Sequence, residues 1–354
     1  LAAKNFPGAL LANSLFLNRF RTGLDKIAAR RHCRDCVPPE SPTSSGAISS
    51  LPAAAPAEPA SSTPRPGLNP RTFLKRLVSW AALWVVAILF VYSGWQTGSL
   101  LLIAFFGLAG QWEFYLAQEE KGHKVFKQSG LFCGALVFLT TWYFLIFNPV
   151  QARFVHFGEE LVLVFSVLGA FIRLVVRQEE HRAPITTAAL TLLGLVYVPF
   201  LFNFVALLLF MPGNQDQNRF LLIYLLAVTK FSDVGAYVIG SLIGRHKMIP
   251  RISPGKTWEG FAGAILTSLV VSILMTQAMG ERMQALSFTS SVVLGLLLPL
   301  ISVVGDLAES VVKRDASIKD SGRTIPGIGG ALDLIDSILF TAPVLYVYLQ
   351  FTAA

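Results

Sequence analysis

Residues 287–314 read SFTSSVVLGLLLPLISVVGDLAESVVKR. From Ser287 to Gly305 there is no charged residue. A helix rising about 1.5 Å per residue carries that run about 28 Å, close to the ~30 Å hydrocarbon core of a bilayer. Charge then arrives all at once: Asp306, Glu309, Ser310 and Lys313 stand at i, i+3, i+4 and i+7, so a helix stacks all four on one face. A basic side chain snorkelling from a helix end explains Lys313 or Arg314, but not Asp306. An apolar crossing that ends in such a stripe predicts a membrane protein with chemistry at the membrane boundary.

The remainder of the chain agrees. Of 354 residues, 53% are hydrophobic and 14% charged, with mean hydropathy +0.58, whereas a soluble domain carries roughly 25% charge. A soluble enzyme, a disordered protein and a coiled coil are excluded, and with 3 Cys so is a disulfide scaffold. Apolar runs approaching the ~20 residues of a crossing predict an all-α polytopic fold of about nine transmembrane helices. They lie near 77–96, 98–117, 130–147, 161–176, 187–211, 220–243, 259–279, 287–306 and 334–352. No repeat relates the two halves, so an inverted-repeat transporter is not indicated.

Loop charges orient the bundle. With the N-terminus inside, the inner loops hold Lys121, Lys124, Lys127, Arg177, Arg182, Arg245, Lys247, Arg251, Lys256, Lys313, Arg314, Lys319 and Arg323. The outer loops hold only Arg153, Arg219 and Arg282. That asymmetry puts the N-terminus and the long polar connections 244–258 and 307–333 in the cytoplasm.

Two regions are expected, an arm over 1–76 and a membrane domain over 77–354. The net charge of +8 is mostly the arm's: residues 1–76 hold 11 Lys+Arg against 4 Asp+Glu, leaving 18 against 17 for the rest. Such an arm suits anionic lipid headgroups or topogenesis rather than nucleic acid. Ser41 to Pro70 is a Ser/Ala/Pro-rich linker with too little apolar surface to fold. Phe16 to Arg34 reads as a surface anchor, a transit peptide, or translation from too early a start. Cys33 and Cys36 lack a second pair at zinc-site spacing.

Further polar clusters follow the stripe. Lys319, Asp320 and Arg323 precede Pro326-Gly327-Ile328-Gly329-Gly330, whose glycines let backbone N–H groups approach an anion. Asp333 and Asp336 then share a helical face at the start of the last span. Paired acids beside Lys and Arg suggest a divalent cation holding phosphate oxygens; a structural salt-bridge network is the alternative. Lys230 and Asp233 lie inside the sixth span, where each charge costs about 2.5–3.5 kcal/mol on insertion scales. At i and i+3 they can neutralise each other or line a wet cavity. Ile252 to Gly260 contains Gly-Lys-Thr but is not a P-loop, because Pro250 stands where the first Gly is needed. Ser253, Lys256 and Thr257 remain candidates for a phosphate contact.

These residues resemble a known family. The run Ser310-Val-Val-Lys313-Arg314-x4-Lys319-Asp320-x5-Pro326-Gly-x-Gly329-Gly330-x2-Asp333-x2-Asp336-Ser, within the signature region 305–337, is similar to the signature of phosphatidate cytidylyltransferases, the CDP-diacylglycerol synthases. Ile252 to Gly260 and Ser232-Asp233-x-Gly-Ala-Tyr237 look like two further blocks, so that the similarity covers roughly 72–352. The sequence departs at Ile328, where the family usually has His, at Leu334, where it usually has Arg, and at Gly255, where Lys is common.

The resemblance implies transfer of CMP from CTP to phosphatidic acid, with Mg2+ on Asp306 and Asp333, support from Asp336 and Asp320, and room for a monovalent second ion such as K+. It implies that Asp306, Asp333, Asp336, Lys313 and Arg314 carry the reaction. Lys313, Arg314, Lys319 and Arg323 would hold phosphates, with Ser253, Lys256, Thr257, Ser310, Gly329 and Gly330 as further substrate contacts and Asp233 lining the cavity. It places the protein among membrane lipids, with a homodimer as one option, in a bacterial inner membrane or alternatively an organelle membrane. Another lipid-phosphate nucleotidyl or phosphoryl transferase, a transporter and an inactive homologue stay open as alternatives.

Overall fold

A computed structural model describes residues 86, 88–176, 183–283, 285–316 and 329–353, all within the unit Pro66–Ala354. The arm, its linker and Cys33/Cys36 lie outside the described residues, as do Lys319, Asp320, Arg323 and Ile328. The described helices are α1 (Gln96–Glu120), α2 (Lys127–Phe147), α3 (Val155–Val176), α4 (Pro184–Leu209), α5 (Gln215–Ile243), α6 (Trp258–Met279), α7 (Phe288–Asp315) and α8 (Ala331–Ala353). By length and composition, 7 of these helices, all but α3, are long and apolar enough to cross a membrane. Of the other two expected spans, 77–96 lies mostly outside the described residues. The segment 161–176 is the C-terminal part of α3, whose first turns carry His156, Glu159 and Glu160.

The protein is an integral membrane protein. Large apolar side chains such as Phe105, Phe132, Phe165 and Val175 point outward, as on a lipid-facing surface, while Tyr115, Tyr224, Leu225, Leu298 and Leu339 fill the interior. Local chemistry explains the helix starts. Ser287 Oγ accepts from Ser290 N at 3.1 Å, Thr257 Oγ1 from Gly260 N at 3.1 Å, and Asn214 Oδ1 from Asp216 N at 3.0 Å, each an N-cap. Within α4 the backbone widens to a π turn over Val196–Phe200, where Pro199 lacks the N–H that a regular ladder needs.

The 244–258 connection is not a plain loop. Strands β1 (Lys247–Ile249) and β2 (Ser253–Thr257) pair antiparallel, with Lys247 opposite Thr257 and Ile249 opposite Ser253. α5 and α6 run close together at glycines: a Cβ on Gly260 would lie 2.8 Å from Ala236 O, and one on Gly263 2.9 Å from Gly235 O. α7 and α8 meet the same way, since a Cβ on Gly305 would lie 2.8 Å from Asp336 O. That second contact puts the acidic end of α7 against the acidic start of α8.

Candidate active site

α5, α7 and α8 each bring one carboxylate to a single hydroxyl. Ser337 Oγ of α8 lies 2.9 Å from Asp306 Oδ1 on α7, 3.0 Å from Asp336 Oδ1 and 3.3 Å from Asp233 Oδ2 on α5. Asp233 also accepts from Ser302 Oγ of α7 at 3.3 Å. A hydroxyl has one proton and donates to one acid at a time, so the three carboxylates otherwise face one another across it. Ser337 and Asp336 are buried and Asp306 is partly open.

Three lysines surround this point. Lys256 of β2 donates to Asp306 Oδ2 at 3.0 Å and reaches Val303 O at 3.5 Å, while Arg314 Nε donates to Ile252 O at 3.2 Å. The hairpin thus lies along the polar end of α7. Lys313 bridges α7 to α8, 2.8 Å from Glu309 Oε1 and 2.8 Å from Asp333 Oδ1. Lys230 lies 3.6 Å from Asp233 Oδ2 and donates to Leu334 O at 3.2 Å. Among the described residues, five carboxylates (Asp233, Asp306, Glu309, Asp333, Asp336) meet three ammoniums. Three carboxylates held around one hydroxyl repel one another, so the arrangement favours a ligand that supplies positive charge.

Among the described residues no three His, Cys, Asp or Glu side chains come close enough together to hold an ion unaided. The donors are all hard oxygens, however, and Mg2+ usually binds one or two carboxylates and takes its other ligands from water and substrate phosphates. The facing pair Asp306 and Asp336 fits that description.

The other candidate residues are placed as follows. Asp333 starts α8 beside Lys313, and Gly330 N points at its Oδ2 at 3.4 Å, with Gly329 at φ 126° making the turn. Ser310 lies on α7 between Asp306 and Lys313, half-buried. Thr257 is buried and its hydroxyl is the N-cap of α6, whereas Ser253 is half-buried on the hairpin opposite Ile249. Three residues with parts in the site had no role in the sequence reading. Ser337 and Ser302 tie the acids together. Glu113 of α1 is buried and accepts from Leu332 N at 2.9 Å, which anchors the start of α8 and favours its positive dipole end. Its position inside an apolar span is the one signal that marked it.

Residues 74–352 match the cytidylyltransferase family. The chain is 30% identical over 298 residues to the phosphatidate cytidylyltransferase of Mycobacterium bovis, a match covering 82% of this chain and 92% of that protein. It is 38% identical over 162 residues to the phosphatidate cytidylyltransferase of Mycobacterium leprae, covering 46% of this chain and 49% of that one. It is also 35% identical over 196 residues to a protein of Escherichia coli K12 named uncharacterized protein YnbB, covering 54% and 64%.

Proposed function

Because the chain belongs to the cytidylyltransferase family, we propose that it transfers CMP from CTP to phosphatidic acid, forming CDP-diacylglycerol and releasing pyrophosphate. An oxygen of the lipid phosphate attacks the α-phosphorus of CTP in line. The new P–O bond forms as the bond from that phosphorus to the α–β bridging oxygen breaks, and pyrophosphate leaves with the electron pair. Both reactants are anions and the attacking phosphate is already ionised, so positioning and charge neutralisation carry the catalysis. The convergence of Asp233, Asp306 and Asp336 from three helices on Ser337 is the observation that carries this reading.

Asp306 and Asp336 would hold Mg2+, with Asp233 beside them and Asp333 in support from the start of α8; Asp320, outside the described residues, is a further candidate ligand by sequence. When bound, Mg2+ supplies Lewis-acid charge to the phosphate oxygens, and a monovalent ion such as K+ is a candidate second cation. Lys256 and Lys313, already paired to Asp306 and Asp333, are the cations placed beside incoming phosphates. Arg314 and Ser253 are further candidate phosphate contacts on α7 and the hairpin, and Lys319 and Arg323, outside the described residues, are candidates by sequence. Ser337 fixes the rotamers of the acids it touches, and Glu113 holds α8 in register through Leu332. The positive-inside loop asymmetry supports a cytoplasmic active site in a bacterial inner membrane, where CTP is available.

The test is the identity of the lipid product. Purified protein given CTP labelled in the cytidine ring should convert phosphatidic acid into a lipid with the mass of CDP-diacylglycerol. Label in a different lipid from a panel of polyprenyl and lipid phosphates, with none from phosphatidic acid, would overturn the acceptor. Flux of solute in proteoliposomes without CTP, and no product, would favour a transporter.

A further inference from the structure

A narrow cavity of about 110 Å3 opens beside the carboxylate cluster, between α1, α4, α5 and α8. Its walls include Ile103, Phe106, Val205, Leu226 and Ile338, and nearly every other lining side chain is apolar as well. The exception that carries charge is Lys230, one turn from Asp233. We propose that this cavity is the acyl-chain subsite of the lipid-phosphate substrate, and that Lys230 is the residue that fixes the lipid phosphate at its head. The inference rests on the cytidylyltransferase reading and deepens it.

Two observations point to that occupant. An apolar slot without charge along its length suits a hydrocarbon chain, and a slot this small takes part of one chain rather than two. At the end next to the acids, the ammonium makes one hydrogen bond, to Leu334 O, and a looser pair at 3.6 Å with Asp233. An ammonium carries three donors, so a phosphate oxygen can join these partners without displacing them. A phosphate on Lys230 would sit beside Asp233, whose other oxygen faces Ser302 and which shares Ser337 with Asp306 and Asp336. The chain would then run away from the acids, past Leu226 on α5 and Ile103 on α1. A neutral lipid gains nothing from the ammonium, and free CTP gains nothing from the apolar walls; a phosphomonoester lipid uses both.

The experiment uses the full chain and needs no turnover. Phosphatidic acid carrying a diazirine in the distal half of one acyl chain is bound to the purified protein and irradiated, and the labelled peptides are mapped. Label should concentrate at 99–106 and 222–226, be displaced by unlabelled phosphatidic acid, and resist phosphatidylcholine. Label scattered over outward residues such as Phe165 and Val175, or displaced equally by phosphatidylcholine, would overturn the proposal. Lys230→Met keeps the stem and removes the charge. It should weaken phosphatidic acid binding about tenfold, the scale of one lost charge-assisted hydrogen bond, and by more than it weakens CTP binding. Unchanged lipid affinity in Lys230→Met would refute the phosphate anchor. Lipid labelling as expected in a wild-type protein that neither binds CTP nor releases pyrophosphate would refute the transferase reading and leave the lipid site standing.

Discussion

Gly305 is the position where one added methyl group should disturb the site most directly. A Cβ there would stand 2.8 Å from Asp336 O and 3.2 Å from Ser337 Cα, both backbone atoms of α8 that cannot rotate away. Restoring an ordinary 3.4 Å contact with Asp336 O takes about 0.6 Å of separation between α7 and α8. That displacement falls on the 2.9 Å link between Ser337 Oγ and Asp306 Oδ1 and on the Lys313 bridge to Asp333. Misplacement by 1 Å costs on the order of 100-fold in rate, so Gly305→Ala should lower kcat about 10- to 100-fold. Overpacking of this kind also costs about 1–3 kcal/mol of stability, seen as a lower Tm in detergent. Gly169→Ala, where nothing lies within 4 Å of an added Cβ, is the matched control and should leave both quantities near wild type. Pyrophosphate release under saturating substrates, with Tm on the same preparations, reads the pair. A Gly305→Ala protein with kcat within about twofold of wild type would refute the claim that the α7–α8 contact sets the site.

Lys313→Met removes the cation shared by Glu309 and Asp333. It should cut kcat/KM at least about 100-fold, with Lys313→Arg recovering part of it, because the positive charge that joins α7 to α8 beside the incoming phosphates is lost. Thr257→Ala removes the cap of α6 and should cost about 1 kcal/mol in Tm-derived stability, with the KM for CTP unmoved; a large rise in that KM would restore Thr257 as a phosphate contact. Glu113→Leu leaves Leu332 N without its acceptor and should destabilise the start of α8 by about 1–3 kcal/mol, visible as faster hydrogen exchange at 331–336. Chelation should abolish pyrophosphate release, and added Mg2+ should restore it without refolding; full activity in chelator would remove the metal from the account.

What the sequence disclosed were features set within one helix. The i, i+3, i+4, i+7 stripe of α7 puts Lys313 on Glu309 at 2.8 Å, and the i, i+3 pair on α5 puts Lys230 3.6 Å from Asp233. Apolar run length likewise marked the crossings, because the bilayer imposes that length on each one separately. What stayed hidden depends on which helices are neighbours. Ser337 meets Asp306 at a sequence separation of 31 and Asp233 at 104, and no local pattern announces a serine as the meeting point of three acids. The spacing of Asp333 and Asp336 suggested one shared task, yet Asp333 pairs with Lys313 while Asp336 turns to Ser337. The block around Gly-Lys-Thr offered Ser253, Lys256 and Thr257 as phosphate contacts, and the hairpin sends Lys256 to Asp306 while the Thr257 hydroxyl caps α6. Leu334, a departure from the usual family pattern, lines the apolar cavity and gives its carbonyl to Lys230, a pairing visible only once α5 and α8 are side by side.

The most direct measurement is pyrophosphate release by purified wild-type protein and by Asp336→Asn, given CTP, phosphatidic acid and Mg2+ together and with each left out in turn. The three-helix carboxylate centre predicts release by wild type that needs all three components, and a loss of at least about 100-fold in Asp336→Asn with the fold intact. No release by wild type, or equal release by Asp336→Asn, would contradict it.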